Sequence, residues 1–222
     1  MYFVLFISVA LLSWAVSALL DHRFKKYAKV YLPLSGREVA EKMLRDNGIY
    51  DVQVTCTPGH LTDHYDPRNK TVNLSEAVYS SNNVAAAAVA AHECGHAVQH
   101  AFSYAPLNMR SALVPVVNFA SQWVTWILLG GILMVETFPQ LLLVGIILYA
   151  LTTLFAFITL PVEINASRRA IAWLEQSGIT DYQTTPMASS ALRSAAYTYV
   201  VAALSSLGTL IYYILIFTSR RD

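Results

Sequence analysis

Charge is scarce in this chain. Asp, Glu, Lys and Arg make up 13% of its 222 residues, about half of the ~25% usual in soluble domains. That deficit argues against a fold surrounded by water on every side and brings lipid in as part of the solvent. Cysteine is scarcer still: Cys56 and Cys94 are the only two, too few for a disulfide scaffold. A single bridge between them stays open, although Cys94 reads more simply as a small buried residue. The net charge is only +1 and no basic stripe is interleaved with aromatics, so nucleic acid is not expected as a partner. Repeats and low-complexity tracts are missing apart from the short Ala85–Ala88 run.

What the chain does have is apolar length: 55% of its residues are hydrophobic and its mean hydropathy is +0.45. Four stretches can each cross a hydrocarbon core of about 30 Å, at 1–20, about 113–135, about 141–160 and about 195–217. The segment Glu136-Thr137-Phe138-Pro139-Gln140 turns the second and third into a helical hairpin over 113–160. The first stretch lacks a basic leader and is followed by the positively charged Asp21–Lys29. It is expected to be a retained anchor rather than a cleaved signal. Four spans put 21–112 and 161–194 on one side, with ten and three Lys or Arg residues, against only Arg220 and Arg221 on the other. The positive-inside rule then sets the N-terminus outside and both polar segments in the cytoplasm.

Segment 21–112 reads as a small α+β domain. Ser35-Gly36-Arg37-Glu38 has the form of a capping box, followed by Val39, Met43 and Leu44 at helical spacing and closed by Asn47-Gly48. Asp51–Cys56 and Thr71–Leu74 read as strands, with a turn at Tyr65–Asn69 between them. Ser80–Asn83 offers N-caps for a helix running to about Ala101.

That helix contains His92-Glu93-Cys94-Gly95-His96, an H-E-x-x-H sequence. Helical residues four apart lie about 40° apart around the axis and one turn up, so both imidazoles can meet one metal. Glu93 can reach a water on that metal and act as catalytic base. A zinc ion is the cation implied, and both histidines must be neutral to bind it. The blander reading is a pair of hydrogen-bonded histidines on a buried helix. Against it stand the smooth alanine run before the motif, Gly95 within it, and the cost of a charged Glu93 in so apolar a helix.

The third ligand is less determined. Phe102 stands where a metzincin would carry a histidine, His100 is too far along the helix to share a metal with His92, and no aspartate lies in a later apolar span. A downstream glutamate remains. Pro161 is expected to begin a new helix at the end of the third span. Glu163 would then lie near the membrane face on the side of His92 and His96, with the small Ala166 allowing close helix approach. A glutamate at a helix N-terminus also has an ordinary explanation in the helix dipole, so both readings stand at this point. His64 beside Asp63 and Asp66 is a weaker candidate for a second metal position.

HECGHAVQHA (His92–Ala101), NKTVNLSEAVYSSNNVAAAAVAAHE upstream, LPVEINASRRA (Leu160–Ala170) and AAYTYVVAAL (Ala195–Leu204) resemble the YugP-like neutral zinc metallopeptidases of bacterial membranes. The layout is similar, more distantly, to the HtpX and CAAX prenyl proteases, which also place a membrane hairpin between H-E-x-x-H and a glutamate in an E-x-x-A-D helix. The resemblance implies one catalytic zinc held by His92, His96 and Glu163, the gluzincin arrangement, with Glu93 as base. Ser167 replaces the aspartate of that helix, so the partner orienting a zinc-bound histidine must come from Asn165, Ser167 or elsewhere.

The expected protein is mainly α and integral to the bacterial inner membrane, with four transmembrane helices and a small α+β zincin-like domain at the cytoplasmic face. It would cleave peptide bonds in membrane proteins or unfolded segments near the bilayer. The membrane lipid is one partner and a polypeptide the other, with room for an oligomer or a regulatory membrane protein. Arg168, Arg169 and Tyr197 are candidate oxyanion donors, and the Val72-Asn73-Leu74 strand is a candidate edge for an extended substrate. Two rivals are a non-catalytic protein with a structural zinc, which needs a fourth ligand such as Cys56 or His100, and a zinc hydrolase of a non-peptide amide.

Overall fold

The computed structural model describes residues 2–219, with side chains from Phe6 onward; Arg220 and Arg221, the two charges assigned to the outer side, lie outside the described residues. The protein is mainly helical. Four helices are long and apolar enough to cross a membrane: α1 (Tyr2–Tyr27), α5 (Ala105–Leu133), α6 (Pro139–Gln176) and α7 (Thr185–Ser219). Between α1 and α5 lie α2 (Gly36–Asp46), β1 (Gln53–Thr57), β2 (His64–Asp66), β3 (Thr71–Ser75), the short α3 (Glu76–Tyr79) and α4 (Val84–Ala101).

Local chemistry accounts for the ends of the polar elements. The Ser35 hydroxyl accepts from the Glu38 N–H while the Glu38 carboxylate accepts from the Ser35 N–H, completing the capping box on α2. Gly48 ends that helix at φ 71°, where a Cβ would be strained. Asn83 caps α4 by accepting from the Ala86 N–H at 2.9 Å. The sheet has the order β1-β3-β2, parallel between β1 and β3 and antiparallel between β3 and β2. Part of the expected Tyr65–Asn69 turn is therefore strand. More consequentially, β3 is the central strand, with Val72 and Asn73 paired on both sides, so it does not offer a free edge to a substrate strand. β2 is an edge.

One core unites this polar layer with the ends of the long helices. Val39, Met43, Leu44, Val72, Leu74 and the alanines of α4 pack with Leu174 of α6 and Leu192 of α7, all essentially solvent-free. The Trp173 indole N–H donates to Asp46 at 3.0 Å, tying the far end of α6 to α2. In the hairpin, a Cβ on Gly131 would lie 2.6 Å from the Leu142 Cα, and one on Gly145 2.7 Å from a Leu128 methyl carbon. Glycine thus sets the close approach of α5 and α6, as small residues do where lipid supplies no hydrophobic drive.

The long helices overrun their apolar stretches. α6 passes through Pro161 without restarting there, and α7 begins ten residues before Ala195, at Thr185. Proline removes one helical hydrogen bond, but packing on both sides holds the helix together: Val162, Glu163 and Ala166 are all buried. Hydropathy marks where lipid ends, while a helix ends where its caps and packing end.

Candidate metal centre

α4 supplies two histidines on one face and α6 crosses it with the glutamate. The crossing is close because a Cβ on Gly95 would lie 2.7 Å from the Ala166 carbonyl oxygen, so only glycine fits. Cys94, on the opposite face, is fully buried with its thiol 3.5 Å from the Ala40 carbonyl. Burial pushes that thiol well above its ordinary pKa, which keeps it unreactive. Cys56 is exposed and both cysteines are free, so the bridge left open by the sequence is not formed.

His92, His96 and Glu163 bring one donor atom each within 4.8 Å of one another. His92 Nε2 lies 3.3 Å and His96 Nε2 3.5 Å from the same Glu163 oxygen, Oε2. Charge-assisted N–H···O bonds are usually shorter, about 2.7–2.9 Å. Donors at tetrahedral corners about 2.0–2.1 Å from a zinc ion stand roughly 3.3–3.4 Å apart. The two distances to Glu163 Oε2 match that spacing, and two imidazoles with one carboxylate are a donor set that zinc accepts. Glu163 lies mid-helix in α6, which removes the helix-dipole explanation for its presence.

Each histidine is oriented through its other nitrogen. Ser167 Oγ lies 3.1 Å from His92 Nδ1, and Gln99 Oε1 lies 3.0 Å from His96 Nδ1. Gln99 is fully buried, and its amide nitrogen donates to the Val162 carbonyl at 2.8 Å and to Asn165 Oδ1 at 3.0 Å. Arg169 Nε donates to that same Asn165 oxygen at 2.8 Å. With its amide nitrogen committed to two acceptors, Gln99 presents its oxygen to His96. His96 must then carry a proton on Nδ1, leaving Nε2 for a metal in the neutral ring. Burial works against a charged His96, but the hydrogen bond to Glu163 and the charges of Glu93 and Glu163 outweigh it and raise its pKa.

A cavity of about 610 Å³ opens on these groups, walled by β2, the start of α5, His92, Glu93, His96, Glu163 and Tyr199. Glu93 is buried at 8% exposure and lines that cavity beside both histidines. Arg110 reaches in from α5, with Nη1 3.6 Å from Glu163 Oε1 and its buried Nε without a hydrogen-bond partner. The expected oxyanion donors lie elsewhere: Arg168 is exposed, Arg169 is engaged by Asn165, and Tyr197 is 44% exposed and outside the cavity lining. Tyr199, two residues on and so on the opposite helix face, is the α7 tyrosine that lines the cavity. His100 pairs with the Tyr65 hydroxyl at 2.9 Å. His64 is held by the Thr62 carbonyl at 2.7 Å and by Asn73, while Asp63 accepts from Ser75. A second metal site there gains no support, since among the described residues one ligand group stands out, His92, His96 and Glu163.

Sequence comparison carries the zinc and peptidase terms independently. A family model described as "Putative neutral zinc metallopeptidase" matches residues 2–218. The chain belongs to that family. Among curated proteins, the "Putative membrane protease YugP" of Bacillus subtilis (strain 168) is 44% identical over 201 residues, covering 90% of this chain and 88% of the relative. No solved structure matches. The family description implies zinc, and the chain offers a three-residue group that could hold it.

Proposed function

We propose that the protein is a membrane metalloendopeptidase of gluzincin type, with one catalytic zinc held by His92, His96 and Glu163 and with Glu93 as general base. The observation that carries the reading is the convergence of those three donors, within 4.8 Å of one another, on the lining of an open cavity. A zinc ion there supplies Lewis acidity, making water nucleophilic near neutral pH and polarising a carbonyl. Glu93 takes a proton from the attacking water as its oxygen bonds to the peptide carbonyl carbon. It returns that proton to the amine nitrogen as the C–N bond breaks. Arg110 and Tyr199 are the donors placed to stabilise charge on the carbonyl oxygen, and the β2 edge, beside the cavity, is placed to pair with an extended peptide.

A structural zinc needs a fourth protein ligand. His100 is engaged with Tyr65, and neither it nor Cys56 joins the ligand group among the described residues, so a catalytic role is the better supported one. In this reading the α2–α4 layer is a zincin-like domain at the cytoplasmic face of the bacterial inner membrane, with the N-terminus outside. The charge distribution supports that placement: ten Lys or Arg in 21–112 and three in 161–194. Substrates are peptide bonds of membrane proteins or unfolded segments near the bilayer.

The test is zinc content and casein hydrolysis of detergent-purified protein, wild type beside His96→Ala, Glu163→Ala and Glu93→Gln. Zinc is expected near one per chain, lost in the first two variants and retained in Glu93→Gln, whose turnover falls about 10²–10⁴-fold. Zinc retained in Glu163→Ala would remove it from the ligand set. Zinc present with hydrolysis of non-peptide amides alone would redirect the substrate class.

A further inference from the structure

The metal-site donors face two chambers. Besides the large polar cavity, a second one of about 180 Å³ adjoins the same groups, with Leu20 and Phe24 of α1, Leu61 of the β1–β2 loop, and Leu192, Ala195 and Ala196 of α7 in its wall. Asp63, His92, Glu93, Glu163 and Tyr199 line both. The second chamber is smaller than the roughly 300–1,000 Å³ that holds a drug-sized ligand, so it suits one side chain rather than a length of peptide. Apart from Asp63, Ser167 and the shared metal-site groups, its lining is aliphatic or aromatic, and most of that apolar wall comes from α1 and α7, two of the helices apolar enough to span a membrane. On α1 the lining residues Leu20 and Phe24 lie one turn apart, with Asp21 and Arg23 between them and Lys25 next, so the chamber lies where the apolar helix meets charge.

Leu61 adds an independent sign that the chamber is built. It has φ 58° and is 63% exposed. A leucine in the left-handed region is strained, and a large exposed apolar side chain there gains little from burial. Both costs fall on a residue that lines this cavity.

We infer that the apolar chamber is a specificity subsite that receives one large aliphatic or aromatic side chain of a residue flanking the scissile bond. The inference rests on the peptidase reading above and names its substrate class: bonds with a bulky apolar residue on one side, such as those where a segment leaves the bilayer. The polar cavity, with β2, Arg68 and Arg110 in its wall, takes the hydrophilic remainder.

Mapping the cleavage sites of unfolded casein by mass spectrometry tests this, using the full-length zinc-loaded protein. At one fixed position beside the cut bond, Leu, Phe and Met should exceed Ala and Gly by about tenfold or more. Ala196→Phe fills the chamber and should reverse that preference at the same position while retaining zinc; Ala195→Leu provides the same filling from the neighbouring wall. An absence of preference in the wild type, or an unchanged preference in zinc-loaded filled variants, overturns the subsite. Binding of amine-capped leucine and glycine hydroxamates reads the chamber without turnover. The leucine compound should bind about tenfold or more tightly, with the difference lost in the filled variants. If that difference appears but no peptide is cut, the subsite survives and the peptidase reading falls. Equal affinities with active peptide cleavage do the reverse.

Discussion

The Ala166 carbonyl oxygen lies where a Gly95 side chain would begin, 2.7 Å from an ideal Cβ. The obstacle is backbone and cannot swing aside, so Gly95→Ala must push α4 away from α6. The expected loss is about 1–3 kcal/mol of stability, the usual cost of overpacking, with weaker zinc binding because Glu163 moves away with α6. Thermal unfolding and zinc content in detergent read both, and an unchanged pair of values would show the crossing to be looser than described.

Gln99 and Ser167 orient one histidine each, but water can replace only one of them. Ser167 lines the apolar chamber, whereas Gln99 is wholly enclosed. Gln99→Leu is therefore expected to weaken zinc about 10–100-fold, the usual range for losing such a partner, and Ser167→Ala less. Competition with a zinc chelator measures the two, and the reverse ranking would refute the burial argument.

Much of this centre was legible in the sequence, and what escaped has physical reasons. The H-E-x-x-H spacing, the two caps and the four apolar stretches are local signals, readable from residues a turn or two apart. Gln99 carried a local signal too: it is a polar residue three positions beyond His96 in an alanine-rich helix, on nearly the same stripe. Arg110 was counted only for its charge. Its place beside Glu163 depends on how α5 leaves α4, which periodicity does not encode. The same holds for Tyr199 over Tyr197, since choosing between opposite faces of α7 needs its rotation in the bundle. The sheet order was hidden because β1 pairs directly and in parallel with β3, skipping β2 in sequence, a long-range choice that alternation alone leaves open.

Proton competition gives a pH signature. The metal-free His96 imidazole is more basic than usual because Glu163 and Glu93 favour its charged form over the opposing effect of burial. Zinc needs the neutral ring, so apparent affinity should fall as pH drops through that raised pKa, starting above the ordinary imidazole value of about 6.5. Each displaced proton contributes up to about tenfold per pH unit. The metal-free protein should show the opposite trend: the contribution of His96 to its stability is present at low pH and lost as pH rises through the raised value. Thermal scans with and without zinc from pH 5.5 to 8, as roughly chosen limits around that value, check both signs.

Orientation in the membrane has a built-in reporter. Cys56 is exposed on β1 while Cys94 is sealed in the core. A membrane-impermeant maleimide should leave intact cells unlabelled and modify one cysteine per chain in inverted vesicles, with the label lost in Cys56→Ser. Labelling of intact cells would reverse the proposed topology.

α6 runs unbroken for 38 residues, about 57 Å at the usual rise. Its first half is the return arm of the hairpin, and its second half carries Glu163, Asn165, Ser167 and finally Trp173 against α2. The anchor and the third donor are thus parts of one strut. The other two donors ride on α4, a helix of the polar layer. On the proposed ligand set, a change in hairpin tilt as the bilayer thickens or thins would alter the separation of Glu163 from the two histidines, and the thickness of the surrounding lipid would then be a mechanical input to the metal site.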